Sequence, residues 1–221
     1  MKSIALLSGG LDSTVSLAQA LRETEVSLCL TFDYGQRAAK NEIDAAGALA
    51  SHYGLAHRVI RLPFLEELTK TALVAGEDNV PEPAEDDLDN IEASSASAAS
   101  VWVPNRNGLF INIAASFAES LNCQIVVTGF NREEAATFPD NSEGFVDAVN
   151  RSLSYSTLNK VIVISYTQRL DKVDIIKLGR RLGVPFQHVW SCYRGDDRMC
   201  GRCESCKRFY RAAAEAGLAK S

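Results

Sequence analysis

The sequence predicts an α/β fold, a doubly wound and mostly parallel sheet followed by a short cysteine-rich tail. Three observations predict it. Short apolar runs alternate with stretches of helical period, the pattern of repeated βαβ units. The first run ends in Ser8-Gly9-Gly10-Leu11-Asp12-Ser13, a turn between strand and helix. Four of the six cysteines fall between residues 192 and 206.

Lys2 to Leu7 reads as a short buried strand that Ser8-Gly9-Gly10 breaks. Ser13 to Arg22 reads as a helix, with Val15, Ala18 and Leu21 at helical spacing. Val26 to Phe32 is a second apolar strand, ending in Asp33-Tyr34-Gly35-Gln36-Arg37. Ala39 to Tyr53 is an alanine-rich helix and His57 to Leu62 a third strand. Residues 76–103 then interrupt the alternation with an acidic run, Pro81, Pro83 and the Ala/Ser stretch Ala93 to Ser100. They read as a long excursion, partly mobile in the free protein or closing as a lid over a site. Order returns at Val103-Pro104-Asn105-Arg106-Asn107, before an apolar helix from Gly108 to Leu121. Gln124 to Thr128 is a buried strand ending at Gly129-Phe130-Asn131. Glu143 to Leu153 is helical and Val161 to Ile164 a further strand. Lys172 to Leu182 is a helix stopped by Gly183-Val184-Pro185. The expected organisation is one α/β domain over residues 1–190, with residues 191–221 as a tail packed on it.

The length of 221 residues fits one such domain, and 46% hydrophobic with 23% charged residues is ordinary globular usage, not disorder. No apolar run approaches the ~20 residues that span a bilayer. The run Ile4 to Leu7 is too short for a signal peptide, so no membrane partner and a cytoplasmic location are expected. Cysteines there serve metals or catalysis, or are buried thiols. The net charge of −5 is uneven: residues 77 to 92 carry eight acids and no Lys or Arg, leaving +3 on the rest. This balance disfavours a general nucleic-acid binder.

The glycine-rich turn has the makings of an anion site. Glycines let the backbone approach a ligand, and the following helix presents unpaired N–H groups and the positive end of its dipole. Ser8 and Ser13 add hydroxyls. Asp12 would repel a phosphate unless a cation such as Mg²⁺ lies between them. The Lys of a Walker A loop is absent, and Gly-Gly alone equally suits a capped tight turn. Cys192, Cys200, Cys203 and Cys206, spaced C-x7-C-x2-C-x2-C, suit tetrahedral Zn²⁺, with an iron–sulfur cluster as the alternative. Arg194, Arg198, Arg202, Lys207, Arg208 and Arg211 are expected to offset the charge of four thiolates. A closed Cys₄ site has no open position, so the zinc is expected to be structural. Cys29 and Cys123 read as buried hydrophobes, and His52, His57 and His188 show no ligand spacing.

Ser-Gly-Gly-x-Asp-Ser resembles the PP-loop of the ATP pyrophosphatase superfamily, whose doubly wound fold is adenine nucleotide alpha hydrolase-like. The resemblance implies that Leu7, Ser8, Gly9, Gly10, Leu11, Asp12, Ser13, Thr14, Val15, Ser16 and Leu17 wrap the phosphates of ATP. Asp12 would help hold Mg²⁺, and Asp33 would lie near the adenosine. Adding Phe32-Asp33-Tyr34-Gly35-Gln36-Arg37, Val103-Pro104-Asn105-Arg106-Asn107, Trp190-Ser191-Cys192-Tyr193 and the later cysteines, residues 3 to 211 resemble the 7-cyano-7-deazaguanine synthase (QueC/ExsB) family. That implies an ATP-dependent carbon–nitrogen ligase of queuosine and archaeosine biosynthesis. The carboxylate of 7-carboxy-7-deazaguanine would attack the α-phosphate of ATP, and ammonia would displace AMP to give the amide. A second ATP would activate the amide oxygen, and loss of AMP would leave the nitrile. Asp12, Arg37 and Lys172 would carry the catalytic charge; Asn105, Arg106, Asn107, Gly129, Asn131, Glu134, Phe138 and Asp140 would meet the substrate. A homodimer is implied as well. The alternative is that Arg106 and Asn107 only cap the following helix; contact with substrate or nucleotide is the favoured reading.

Residues 134–145 depart from the family pattern Asp-Tyr-Ser-Gly-Tyr-Pro-Asp-Cys-Arg-Pro-Glu-Phe. Pro139, Asp140 and Phe145 are kept, Glu134 replaces one acid with another, and the Cys-Arg-Pro step is absent. This leaves open a related adenylating enzyme that stops at the amide or passes the deazapurine to another amine. A PP-loop tRNA thiolase would need a cysteine pair in the domain body, where Cys123 stands apart. A non-enzymatic zinc module would leave the phosphate loop without a purpose.

Overall fold

Five strands pair in parallel in the order β3-β2-β1-β4-β5. They are β1 (Lys2–Leu6), β2 (Glu25–Asp33), β3 (His57–Arg61), β4 (Ile125–Thr128) and β5 (Ile162–Ser165). The computed structural model describes residues 1–74 and 80–218. Ala75 to Asn79, including part of the expected excursion, lie outside the described residues.

The alternation of strand side chains explains why the runs are apolar throughout. Ile4 of β1 and Val126 of β4 enter one core layer, while Ala5, Ile125 and Val127 enter the opposite one. Both faces are covered, so both sets of side chains must be hydrophobic. On the first face lie α5 (Arg106–Ser120) and α7 (Glu143–Ser156); Ile111, Ala114, Ala115, Ala118 and Leu153 pack there. On the other lie α1 (Leu11–Glu23) and α2 (Ala39–His52), through Leu17, Ala20, Ala46, Leu49 and Ala50. The alanines let helix backbones approach the sheet closely.

The second face carries a further layer. Leu11, Val15 and Ala18 of α1 pack against Ile175 and Ile176 of α8 (Lys172–Leu182) and Phe209, Ala212 and Ala213 of α9 (Glu204–Glu215). The helix α9 belongs to the tail, for which the sequence predicts packing on the domain but no helix. The short helices α3 (Pro63–Leu68) and α6 (Arg132–Ala135) also lay outside that reading. So did α4 (Ile91–Ser100), inside the excursion, which starts because the Asn90 side chain accepts from the N–H groups of Glu92 and Ala93. No helix among the described residues is long and apolar enough to cross a membrane.

The acidic excursion lies on the basic tail. Glu82 pairs with Arg194 at 2.7 Å and Arg202 at 3.5 Å, and Asp89 takes both arms of Arg211 at 2.9 Å. Lys207 donates to the Pro83 carbonyl, and the Glu204 N–H to Pro81 O at 3.1 Å. Two acids of the uneven run, Glu82 and Asp89, thus meet cations of the tail. The tail cations Arg194, Arg202, Lys207, Arg208 and Arg211 also direct side-chain contacts to the excursion or to neighbouring acids.

Ser16 joins α1 to the sheet. Its hydroxyl donates to Thr128 O at 2.6 Å and accepts from Tyr166 N at 3.2 Å, fully buried. Ser16→Ala leaves both backbone groups unpaired, so urea unfolding will show a loss of about 1–3 kcal/mol. The affinity for Mg·ATP will stay within about threefold of wild type, because this side chain faces the core.

Candidate functional site

The strand order reverses direction between β1 and β4, and a cleft of about 300 Å³ opens there at the carboxyl ends of the strands. The glycine-rich turn forms its floor. Ser8 Oγ and Ser13 Oγ lie 3.0 Å apart, and the N–H groups of Ser8 and Gly10 donate to Ser13 Oγ and Ser8 Oγ at 3.3 Å. Gly9 has φ +81°, and a Cβ there would meet Ala45 Cβ at 2.8 Å and Glu42 O at 2.9 Å. At Gly129 a Cβ would lie 2.5 Å from the Ser13 nitrogen. Only glycine at both places lets the loop, α2 and the end of β4 close up. Gly10, the N-cap of α1, offers no capping side chain, so the first N–H groups of that helix face the cleft with their dipole.

Above this floor sits an ionic triad. Lys172 Nζ donates to Asp12 Oδ2 at 2.5 Å and to Glu134 Oε1 at 2.6 Å, with the lysine side chain only 11% exposed. Glu133 Oε1 accepts from the Lys172 N–H at 2.7 Å and so tethers the start of α8. Burial raises the Asp12 carboxyl to about 6, although Lys172 pulls it down. For Glu134 burial is outweighed by Lys172, which holds it below the usual range; Lys172 itself is held far up by its two acids, against the effect of burial. Asp12 Oδ1 is buried without a partner. Five carboxylates (Asp12, Glu42, Glu133, Glu134 and Glu204) line the cleft against three cations, Arg106, Lys172 and Arg208. A polyphosphate entering this field needs a divalent cation, and Asp12 with Glu134 has the hard oxygen donors to hold Mg²⁺.

The other end of the cleft is aromatic. Phe32 and Phe110 stack with centroids 4.1 Å apart. Arg106 donates to Tyr34 OH at 3.0 Å. Gln36, itself buried, fixes Glu42 by donating to its Oε2 at 2.9 Å. Burial raises the Glu42 carboxyl.

Of the residues singled out from sequence, Leu7, Ser8, Gly10, Leu11, Asp12, Ser13, Arg106, Asn107, Gly129, Glu134, Phe138 and Lys172 line the cleft. Thr14, Val15, Ser16 and Leu17 do not: they lie on the buried turns of α1, with Thr14 donating back to Gly10 O at 2.6 Å. Asp33 faces Arg61 at 3.7 Å. Arg37 donates to Ala72 O at 2.8 Å and braces residues 71–74. Asn105 is exposed at φ 52°. Asn131 caps α6, its Oδ1 accepting from Glu134 N at 2.9 Å. Asp140 presents its carbonyl to Asn107 at 3.4 Å. Among the described residues of 76–103, Val101 reaches the cleft lining while the rest does not. Glu42, Glu133, Glu204 and Arg208 line the cleft without having been picked out for it; no motif marks them, and only folding brings them together.

The four tail cysteines gather their sulfurs within 4.8 Å of one another. Cys200 to Cys206 is 3.9 Å and Cys192 to Cys203 4.0 Å. A tetrahedral zinc with Zn–S of ~2.3 Å sets sulfurs roughly 3.8 Å apart, so the set fits. Backbone N–H groups of Arg194 and Cys200 donate to Cys192 Sγ at 3.4 Å, and those of Arg202 and Cys203 to Cys200 Sγ at 3.4 and 3.3 Å. These dipoles favour thiolates. The segment is joined to the phosphate loop by Trp190 N–H donating to Gly9 O at 2.9 Å. Cys29 and Cys123 are buried in opposite core layers and neither lines the cleft.

Residues 2–217 match the model of a family described as queuosine biosynthesis protein QueC. A 7-cyano-7-deazaguanine synthase of Pelotomaculum thermopropionicum is 66% identical over 218 residues, covering 99% of each chain. Its counterpart in Desulforudis audaxviator is 59% identical, covering 98% of each chain. That of Bdellovibrio bacteriovorus is 49% identical, covering 98% of this chain and 94% of the other.

Metal removal tests the coupling of tail and excursion. Cys203→Ser, or strong chelation of the wild type, will abolish stoichiometric metal in elemental analysis and lower the melting temperature. Hydrogen exchange will then accelerate over residues 86–100, whose anchors lie on the tail.

Proposed function

The chain belongs to the QueC family of queuosine biosynthesis, and from that footing we propose that it converts 7-carboxy-7-deazaguanine and ammonia to 7-cyano-7-deazaguanine through two adenylated intermediates, releasing AMP and pyrophosphate. The observation that carries the reading within the structure is the Asp12–Lys172–Glu134 triad set on the open N-terminus of α1.

The first N–H groups of α1 with the Ser8 and Ser13 hydroxyls receive the polyphosphate. Asp12 and Glu134 would hold Mg²⁺, which would supply positive charge to the phosphate oxygens. Lys172, already held between the two acids, lies within reach of that charge as it develops on the leaving pyrophosphate. Phe138 and Gly129, the latter packed on the loop at Ser13, bound the side on which the deazapurine carboxylate would meet the α-phosphate in line. Arg106 and Asn107 at the start of α5 offer planar donors to a flat heterocycle. Cys192, Cys200, Cys203 and Cys206 would hold a zinc of structural role, and Trp190 to Tyr193 beside them form one wall of the cleft. The reading includes the homodimer that the family resemblance implies and cytoplasmic residence, in keeping with thiols kept free for a metal.

Mass spectrometry of the reaction with Mg·ATP, ammonium and 7-carboxy-7-deazaguanine will show the nitrile as end product. An accumulated amide, a conjugate with another amine, or an absence of pyrophosphate would sink the reading. Asp12→Ala will lower kcat/KM for ATP by about 100-fold or more.

The pH profile follows from the Asp12 carboxyl at about 6. Its ionised form holds the cation, so competence appears as pH rises through that value. Below it, kcat/KM for Mg·ATP will fall about tenfold per pH unit, with a plateau above. A profile flat from pH 5 to 7.5 would contradict this assignment.

A further inference from the structure

The sequence marked Arg208 only as one of several cations near the cysteines. In the fold its guanidinium is nearly buried, 18% exposed, at a junction of three elements. Nε donates to Glu204 Oε1 at 2.9 Å, one turn earlier on α9. Nη2 donates to Leu88 O at 2.8 Å and to Ser94 Oγ at 3.1 Å, both in the excursion. Glu204 in turn accepts from Ser97 of α4. The remaining arm, Nη1, lies 3.8 Å from Glu133 Oε2 in the wall of the cleft. The other oxygen of Glu133 takes the N–H of Lys172, whose ammonium joins Asp12 to Glu134.

We propose that Arg208 is a positioning residue for the adenylation step, setting Lys172 through Glu133 and doing so from its seat against the docked excursion. A planar guanidinium can hold Glu204, a carbonyl, a hydroxyl and a second carboxylate at once; an ammonium cannot span them. The excursion therefore acts on the reaction without covering the cleft. It fixes the orientation of the fork, the fork fixes the Glu133 carboxylate, and that carboxylate fixes the first turn of α8 from which Lys172 projects. Coupling through such a chain is a difference in free energy between paired and unpaired arrangements, so it shows as non-additivity.

The inference rests on the proposed function, and its test uses the metal-loaded, full-length enzyme with pyrophosphate release as readout. Arg208→Ala and Arg208→Lys will each lower kcat by about tenfold or more while KM for ATP moves by less than about threefold. Glu133→Gln will do the same, and Arg208→Lys/Glu133→Gln will be no slower than Glu133→Gln alone within about threefold, since the arginine acts through that carboxylate. Metal content and melting curves guard against misfolding, and Arg208→Lys keeps the charge on α9 where Arg208→Ala fails to fold. Wild-type kcat in Arg208→Lys, or a double variant whose losses multiply, overturns the inference while the enzyme remains active. A wild type that releases no pyrophosphate defeats the functional reading instead, and this inference with it.

Discussion

A buried ammonium has to be matched by charge, and Lys172 is matched by acids from two separate parts of the chain. Asp12 comes from the first turn of α1 and Glu134 from α6 just beyond β4. Removing Asp12 or Lys172, both largely buried, costs about 3–5 kcal/mol, because the remaining charge is stranded away from water; removing Glu134, 37% exposed, costs less. The bridge therefore draws together the phosphate loop, the segment after β4 and the start of α8, the three pieces that surround the switch point of the sheet. It also keeps two carboxylates close together in the lining of the cleft.

Around that bridge the chain solves a charge problem with its own tail. An acidic segment left in solvent would be free to move. Here Glu82 and Asp89 meet Arg194, Arg202 and Arg211, and the excursion is stacked on α9 and the cysteine cluster. The cysteine segment then bears on more than the last residues of the chain: Trp190 N–H bonds Gly9 O of the glycine-rich turn on one side, and the excursion is held on the tail on the other.

Much of the fold was legible because period and punctuation are local. The five strands stand where apolar runs end in glycine or polar turns, and the phosphate loop could be placed from six residues. Helices α4 and α9 were less legible. The first is a low-complexity Ala/Ser stretch whose capping Asn90 follows an acidic run, and the second hides amphipathic spacing among cysteines and arginines. The PP-loop stretch Leu7 to Leu17 was assigned to ATP as a block, but only its first part faces the cleft. Helical rotation turns Val15 and Leu17 into core layers and leaves Ser16 to bond Thr128 O.

The sequence by itself determined the parallel α/β class, the glycine-rich turn after β1 and the cysteine cluster, because alternation of apolar runs, strand-ending glycines and close cysteine spacing are written in the chain without reference to distant partners. The partners of the charged groups were decided only by the tertiary structure. Arg208 lies beside the cysteines in sequence and reaches Glu133 and the excursion in space. Arg37, expected among the catalytic cations, donates its Nε to Ala72 O. Electrostatic pairing has a range of several ångströms and no preferred sequence separation, so nothing short of the folded chain specifies which acid each cation meets.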